Sequence, residues 1–294
     1  LVITLNQNAT VPDVTGSTAT VYEDGLADGV QHGATSETTT GTFTVDGNNE
    51  SYTLTLDGDL NPAQTITAVG QSVTTTKGVL TITSISAPDA GGVVTYGYSY
   101  TLTAALTHTG QGEINPLTDT ITMTVGDATG DTDTTPGNIV ISIVDDIPVA
   151  QNDANSVSEG LGNATSGNVY DSVGATAGDV ADTIGADVPA AGAEVTGARV
   201  GTEAGGGALT GVTAGGTTIS GTYGDLVIKS DGSYTYTLKT ATIPANVANE
   251  TFTYQITDKD GDTDLAQLVM TLNQNATVPD VTASTATVYE DGLA

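Results

Sequence analysis

Four carboxylates at every second position, Asp258, Asp260, Asp262 and Asp264, are the densest group of chemistry-bearing side chains in the sequence. They run through Thr-Asp-Lys-Asp-Gly-Asp-Thr-Asp, a stretch with the composition of a tight hairpin loop. Left unneutralised, charges so close together repel one another. Calcium takes about six to eight hard oxygen ligands in a flexible geometry, which clustered carboxylates and backbone carbonyls can supply. The spacing partly resembles an EF-hand loop, but the Gly and the closing Glu are missing at the required offsets and no helical pattern flanks it. A related cluster lies earlier, at Asp127, Asp131 and Asp133. Asp145, Asp146 and Asp153 crowd the stretch around Ile147-Pro148, and Glu23 stands in Val-Tyr-Glu-Asp-Gly. If first and last strands of a sandwich run the same way, the loop before the last strand points back at the preceding domain. Asp258, Asp260 and Asp262 would then approach Asp145 and Asp146, with Glu23 closing the site from the other side. The competing expectation is a solvated acidic turn and a hydrated, loose linker.

Other chemistry has little material. His32 and His108, the only histidines, lie in polar stretches without a zinc-ligand pattern and read as surface loop residues. No Gly-x-Ser-x-Gly elbow is present. Paired carboxylates for glycoside hydrolysis are available in any chain with 35 acids, so they point to nothing by themselves. The Gly run at 205–207 lacks the Gly-Lys-Ser/Thr of a phosphate loop. Sequons at Asn8, Asn163, Asn249 and Asn275 read as incidental. The chain is not expected to be an enzyme.

The elements that must hold the acids in place are strands. Apolar and β-branched residues alternate with period two at 42–45, 52–56, 80–84, 93–106, 121–125 and 139–144. They do so again at 195–200, 217–220, 226–229, 234–238, 252–257 and 265–272, with one helical turn expected within 179–191. Asp-Gly pairs at 46–47, 57–58 and 231–232 punctuate them. Many short strands at this spacing predict an all-β fold of antiparallel Ig-like β-sandwiches. Tyr96, Tyr98 and Tyr100 share one strand face. That face reads as core, and as a stacking surface for a ligand if exposed.

Charge excludes partners. The 294 residues carry 35 acids against five bases, a formal net charge of −30, so no basic stripe can neutralise nucleic-acid phosphates and anionic membranes are disfavoured. Such a charge destabilises a compact chain unless counter-ions collect on it. There is no cysteine to cross-link the fold.

Residues 1–27 recur as 268–294, differing only at Ile3/Met270 and Gly16/Ala283. This is the signature of a tandem array cut to one period plus the start of the next. Inside the period, Gly-Asp-Thr-Asp occurs at 130–133 and at 261–264, each time before a last strand and a Pro-containing linker. The expected organisation is the end of a preceding repeat at 1–9, sandwiches at 10–146 and 147–276, and the start of the next repeat at 277–294.

Four motifs together carry a family resemblance. They are Val-Tyr-Glu-Asp-Gly opening a domain, Gly-Ser-Tyr-Thr-Tyr at 232–236, Thr-Asp-Lys-Asp-Gly-Asp-Thr-Asp at 257–264, and Asp-Asp-Ile-Pro at 145–148. The chain resembles the tandem Ig-like, VCBS-like and cadherin-like repeat modules of giant type I-secreted RTX adhesins of Gram-negative bacteria. The resemblance implies secreted, cell-surface extender modules with Ca²⁺ between them, stiffening a fibre that projects an adhesive domain and supports biofilms. The family's nonapeptide calcium repeats and secretion signal are not found in this sequence. Expected partners are neighbouring repeats of the same chain and other copies of the fibre, with no nucleic acid and no membrane insertion. Two alternatives remain open: a module gripping carbohydrate or protein, and a subunit of a strand-exchanged polymer.

Overall fold

A computed structural model describes residues 11–31, 34–60, 62–113, 115–133, 135–171 and 178–274. The partial repeats expected at 1–9 and 277–294, and His32, lie outside the described residues.

Two β-sandwiches follow one another. The first opens with β1 (Asp13–Thr15), β2 (Ser17–Tyr22) and β3 (Thr38–Asp46), followed by β4 (Tyr52–Asp57), β5 (Gln64–Ile66) and β6 (Ser72–Thr74). It closes with β7 (Gly78–Ile85), β8 (Val93–Leu102), β9 (Leu117–Asp127) and β10 (Gly137–Val144). One sheet has the order β1-β3-β8-β7-β6 and the other β2-β10-β9-β4-β5. The second sandwich begins with β11 (Asp153–Ser158), β12 (Ala164–Asn168), β13 (Val195–Val200) and β14 (Thr210–Gly211). It ends with β15 (Thr217–Ser220), β16 (Gly224–Ile228), β17 (Ser233–Leu238), β18 (Asn249–Thr257) and β19 (Thr263–Asn273). Its sheets are β11-β19-β18-β13-β14 and β12-β17-β16-β15.

Period-two alternation builds both cores. In β9 and β10, Ile121, Met123, Val125, Ile139, Ile141 and Ile143 all point inward, while the intervening threonines and serine face out or lie part-covered. The second core gathers Tyr254, Ile256, Leu268, Met270 and Leu272 against Leu226, Ile228 and Tyr236. Tyr96, Tyr98 and Tyr100 are all buried in the first core, so they offer no stacking surface.

A paired device recurs in the two sandwiches. Tyr100 donates its hydroxyl to Asp119 Oδ2 at 2.6 Å, and Tyr236 donates to Glu250 Oε2 at 2.6 Å. Each ring lies over a glycine, Gly78 and Gly224, where an added Cβ would collide with the ring. The second tyrosine of Gly-Ser-Tyr-Thr-Tyr is therefore a core residue whose polar tip meets a buried acid.

Two expectations change. The strand through 93–106 ends at Leu102: the Thr103 N–H to Lys77 O bond is the last in register with β7, and the Leu106 N–H turns instead to Glu23 Oε1. The helical turn expected within 179–191 is an irregular loop. Its amides bond outward, Asp182 N–H to Tyr170 O and Ala186 N–H to Asp146 Oδ2, and Gly185 has φ +91°.

In each sandwich an early strand lies parallel to the closing one, β2 to β10 in the first and β11 to β19 in the second. Ser17 to Tyr22 pair with Ile139 to Val144, and Asp153 to Ser158 with Leu268 to Asn273. The β18–β19 turn of the second sandwich accordingly lies at the end that receives the chain from the first.

Candidate metal centre

Both sandwiches and the linker send acids into one buried group. From the first sandwich come Glu23, in the short 3-10 turn Glu23–Gly25 after β2, and His108, in the loop between β8 and β9. Asp145 and Asp146 follow β10 directly, because that strand ends where the linker begins. The second sandwich adds Asp187, from the irregular stretch before β13, and Asp258, Asp260 and Asp262 from the β18–β19 turn. That turn is closed by the Asp258 N–H to Asp262 O bond and by Gly261 at φ +113°, a backbone region glycine enters freely. Asp258 Oδ1 accepts the N–H groups of Gly261 and Asp262 at 2.9 and 2.8 Å, fixing the loop.

Hydrogen bonds cross from one sandwich to the other here. The His108 N–H donates to Asp260 Oδ2 at 2.9 Å, the Gly112 N–H to Asp262 Oδ1 at 2.6 Å, and Gln111 Nε2 to Gly261 O at 3.2 Å. Asp146 Oδ2 accepts Val30 N–H at 2.9 Å and Ala186 N–H at 2.8 Å, one from each side. Asp146 thus acts as a hydrogen-bonded pin between the sandwiches.

Between these fixed points lie oxygens with no hydrogen-bond partner. They are Glu23 Oε2, both oxygens of Asp145, and one each of Asp187, Asp258, Asp260 and Asp262, joined by Nδ1 of His108. Buried polar atoms are nearly always paired, so this concentration calls for a missing partner. Three sets of ligand atoms each lie within 4.8 Å of one another: Glu23, His108 and Asp145; Asp145, Asp187 and Asp260; and Asp258, Asp260 and Asp262. Asp145 belongs to two sets and Asp260 to two, so the sets form a continuous file with shared carboxylates. Calcium–oxygen distances of about 2.3–2.6 Å place opposite ligands about 5 Å apart, which suits such sets.

Electrostatics agree. Burial pushes Glu23 up to about 9, with Asp187 and Asp145 adding repulsion. Asp145 rises to about 8, through burial and then the charge of Asp260, and Asp258 to about 7, through burial and the neighbouring Asp260. Asp187 and Asp146 are raised by burial as well. Protons or cations must neutralise the group, and no lysine or arginine makes a salt bridge into it among the described residues.

The remaining acids read from the sequence sit elsewhere. Asp264 gives Oδ2 to the Ala150 N–H and joins none of the three sets. Asp127 Oδ1 accepts N–H groups of Thr129, Gly130 and Asp131, repeating the Asp258 turn, but Thr129 stands where Asp260 would be. Asp131 lies in that turn, and Asp133 bonds Val14 N–H and Thr135 N–H. No set includes these three residues. Sequence reasoning did not select Asp187, one of several spaced acids in a Gly- and Ala-rich stretch. It placed His108 on the surface, whereas the side chain is buried against Glu23, with Nε2 3.3 Å from Oε1. Its polar neighbours in sequence give no sign of a partner 85 residues away.

No protein-family model matches the chain, and no curated protein matches it in sequence. Solved structures that align with it include Ig and cadherin modules. The Ig1-2 module of the Drosophila receptor protein tyrosine phosphatase DLAR is 10% identical, over 90% of this chain and 100% of that one, with a TM-score of 0.23. The EC3-6 region of protocadherin gammaB7 is 15% identical, over 98% and 56%, with a TM-score of 0.29. Drosophila N-cadherin EC1-4 is 11% identical, over 90% and 50%, also with a TM-score of 0.29. The chain spans about half the length of these two cadherin structures. At these TM-scores the likenesses carry no argument about function. Among the described residues, no helix is long and apolar enough to cross a membrane.

Proposed function

We propose that this chain is a structural extender segment of an extracellular adhesive fibre, of the RTX adhesin kind its motifs resemble, with calcium locking its two sandwiches together. The observation that carries this reading is the file of buried, unpartnered carboxylate oxygens drawn from the first sandwich, the linker and the second sandwich. An ion held by ligands from both sides opposes swivelling, because rotation would break its coordination. Asp145, Asp187, Asp258, Asp260 and Asp262 would hold the calcium, with Asp146 fixing the angle by hydrogen bonds. No catalysis is assigned. Repetition of the period suits a spacer whose length is its function, anchored by neighbouring repeats and presented at a cell surface or in a biofilm.

An ion that binds only the folded chain stabilises it by mass action. Thermal unfolding and small-angle scattering of the whole chain, with calcium and with chelator, test the reading. A higher midpoint and a narrower distribution of interdomain distances in calcium are expected. Identical curves under both conditions would remove the mechanical role.

A further inference from the structure

The set nearest the first sandwich differs chemically from the other two. Glu23, His108 and Asp145 are 0%, 4% and 2% exposed, and one ligand atom from each lies within 4.8 Å of the others. Glu23 Oε2, His108 Nδ1 and both Asp145 oxygens have no hydrogen-bond partner. We propose that Glu23, His108 and Asp145 form a separate mixed nitrogen–oxygen site that takes a zinc-type divalent cation rather than calcium.

Ligand chemistry separates the two ions. Calcium is a hard cation that collects oxygens, and an imidazole nitrogen is a poor member of its shell. Zinc and its first-row neighbours accept imidazole and carboxylate together. The other two sets contain only carboxylates, whereas this one contains the only histidine of the described residues. Neither neutral tautomer of His108 is satisfied by protein alone. With the proton on Nε2 facing Glu23 Oε1, the Nδ1 lone pair meets nothing; with the proton on Nδ1, an N–H is buried without an acceptor and the Nε2 lone pair faces a carboxylate. A cation on the ring lone pair removes part of that conflict and neutralises the acids beside it.

The ligands are also held from behind, as metal ligands commonly are. The Leu106 N–H donates to Glu23 Oε1 at 2.9 Å, and the His108 backbone N–H is tied to Asp260 Oδ2 at 2.9 Å. Asp145, with both oxygens unpartnered, can bridge this site to the oxygen-only file. Because Glu23, His108 and Asp145 come from positions far apart in sequence, no short spacing motif announces the site.

The test adds Zn²⁺ to the whole chain in excess Ca²⁺, followed by calorimetry and imidazole ¹H–¹⁵N spectra. The sequence has two histidines, so His32 is an internal reference. One equivalent of zinc is expected to bind and to shift one ring, which disappears from the spectrum in His108→Gln. That variant should lose zinc affinity by at least about tenfold while keeping calcium binding, and Glu23→Gln should weaken zinc by about tenfold or more with the His108 ring still visible. The proposal is overturned if zinc does not bind in excess calcium, if only the His32 ring shifts, or if Glu23→Gln binds zinc as tightly as the parent.

Discussion

Asp264 occupies in the second sandwich the position that Asp133 occupies in the first. The Oδ2 of each accepts the backbone N–H at the entry of its sandwich, that of Ala150 at 2.8 Å and of Val14 at 3.3 Å. The final Asp of Gly-Asp-Thr-Asp therefore ties the last hairpin to the incoming chain. Asp264→Ala should cost about 1–2 kcal/mol of stability, the loss of a hydrogen bond to a charged group, and leave calcium stoichiometry unchanged. Urea unfolding and calorimetric titration of the same variant check both halves.

Asp145→Asn should act in opposite directions with and without metal. Both Asp145 oxygens are buried without a partner beside Asp187 and Asp260. In chelator, removing the charge relieves repulsion and the midpoint should rise. In calcium, losing a bridging carboxylate should weaken binding by about tenfold or more, since ligand charge tunes affinity, and the midpoint should fall. Paired melting curves that move in the same direction would contradict the bridging role.

The pH dependence should also change sign with metal. Glu23, Asp145 and Asp258 have folded values of about 9, about 8 and about 7, above the ordinary 4.5, 3.8 and 3.8. A group raised in this way lends stability that is complete below its ordinary value and is lost as pH climbs through the folded one. Metal-free protein should thus lose stability steadily between pH 4 and pH 9. With calcium the trend should reverse up to about pH 8, because the calcium ligands Asp145 and Asp258 must shed their protons to bind. Melting temperatures at stepped pH, with and without chelator, decide it.

Asp146→Ala separates the pin from the ions. It leaves the Val30 and Ala186 N–H groups without their shared acceptor, at a cost of about 1–3 kcal/mol if they stay buried. Calcium should still bind, while scattering should show a broader spread of interdomain distances. Gly185 is part of the same contact: a Cβ there would approach Asp146 Oδ2 to 2.8 Å, and φ is already +91°.

Much of the fold was legible because alternation of β-branched and polar residues is a local signal. Strands such as 121–125 and 139–144 show it plainly, and the structure lengthens them to Leu117–Asp127 and Gly137–Val144. Short edge strands such as Gln64–Ile66 and Thr210–Gly211 were not legible, since two or three residues carry no period. At the junction, Asp258, Asp260, Asp262, Asp145 and Glu23 stood out as dense or motif-borne acids. Asp187 and His108 did not: His108 meets Glu23 only through the folding of the loop between β8 and β9, and Asp187 gains its neighbours only when the sandwiches meet. The Asp127 turn looked equivalent to the Asp258 turn in sequence, and its backbone is. What differs is Thr129 in place of Asp260, which leaves that turn one carboxylate short.

The parallel alignment of β2 with β10, and of β11 with β19, has a mechanical consequence. Each sandwich receives the chain at one end and releases it at the other, so a pull on the two ends of the chain drags the paired parallel strands past each other lengthwise. The load then falls on the whole row of six residue pairs at once, Ser17 to Tyr22 against Ile139 to Val144, instead of opening them one by one like a zip. Such a module resists stretching through shear of its paired parallel strands.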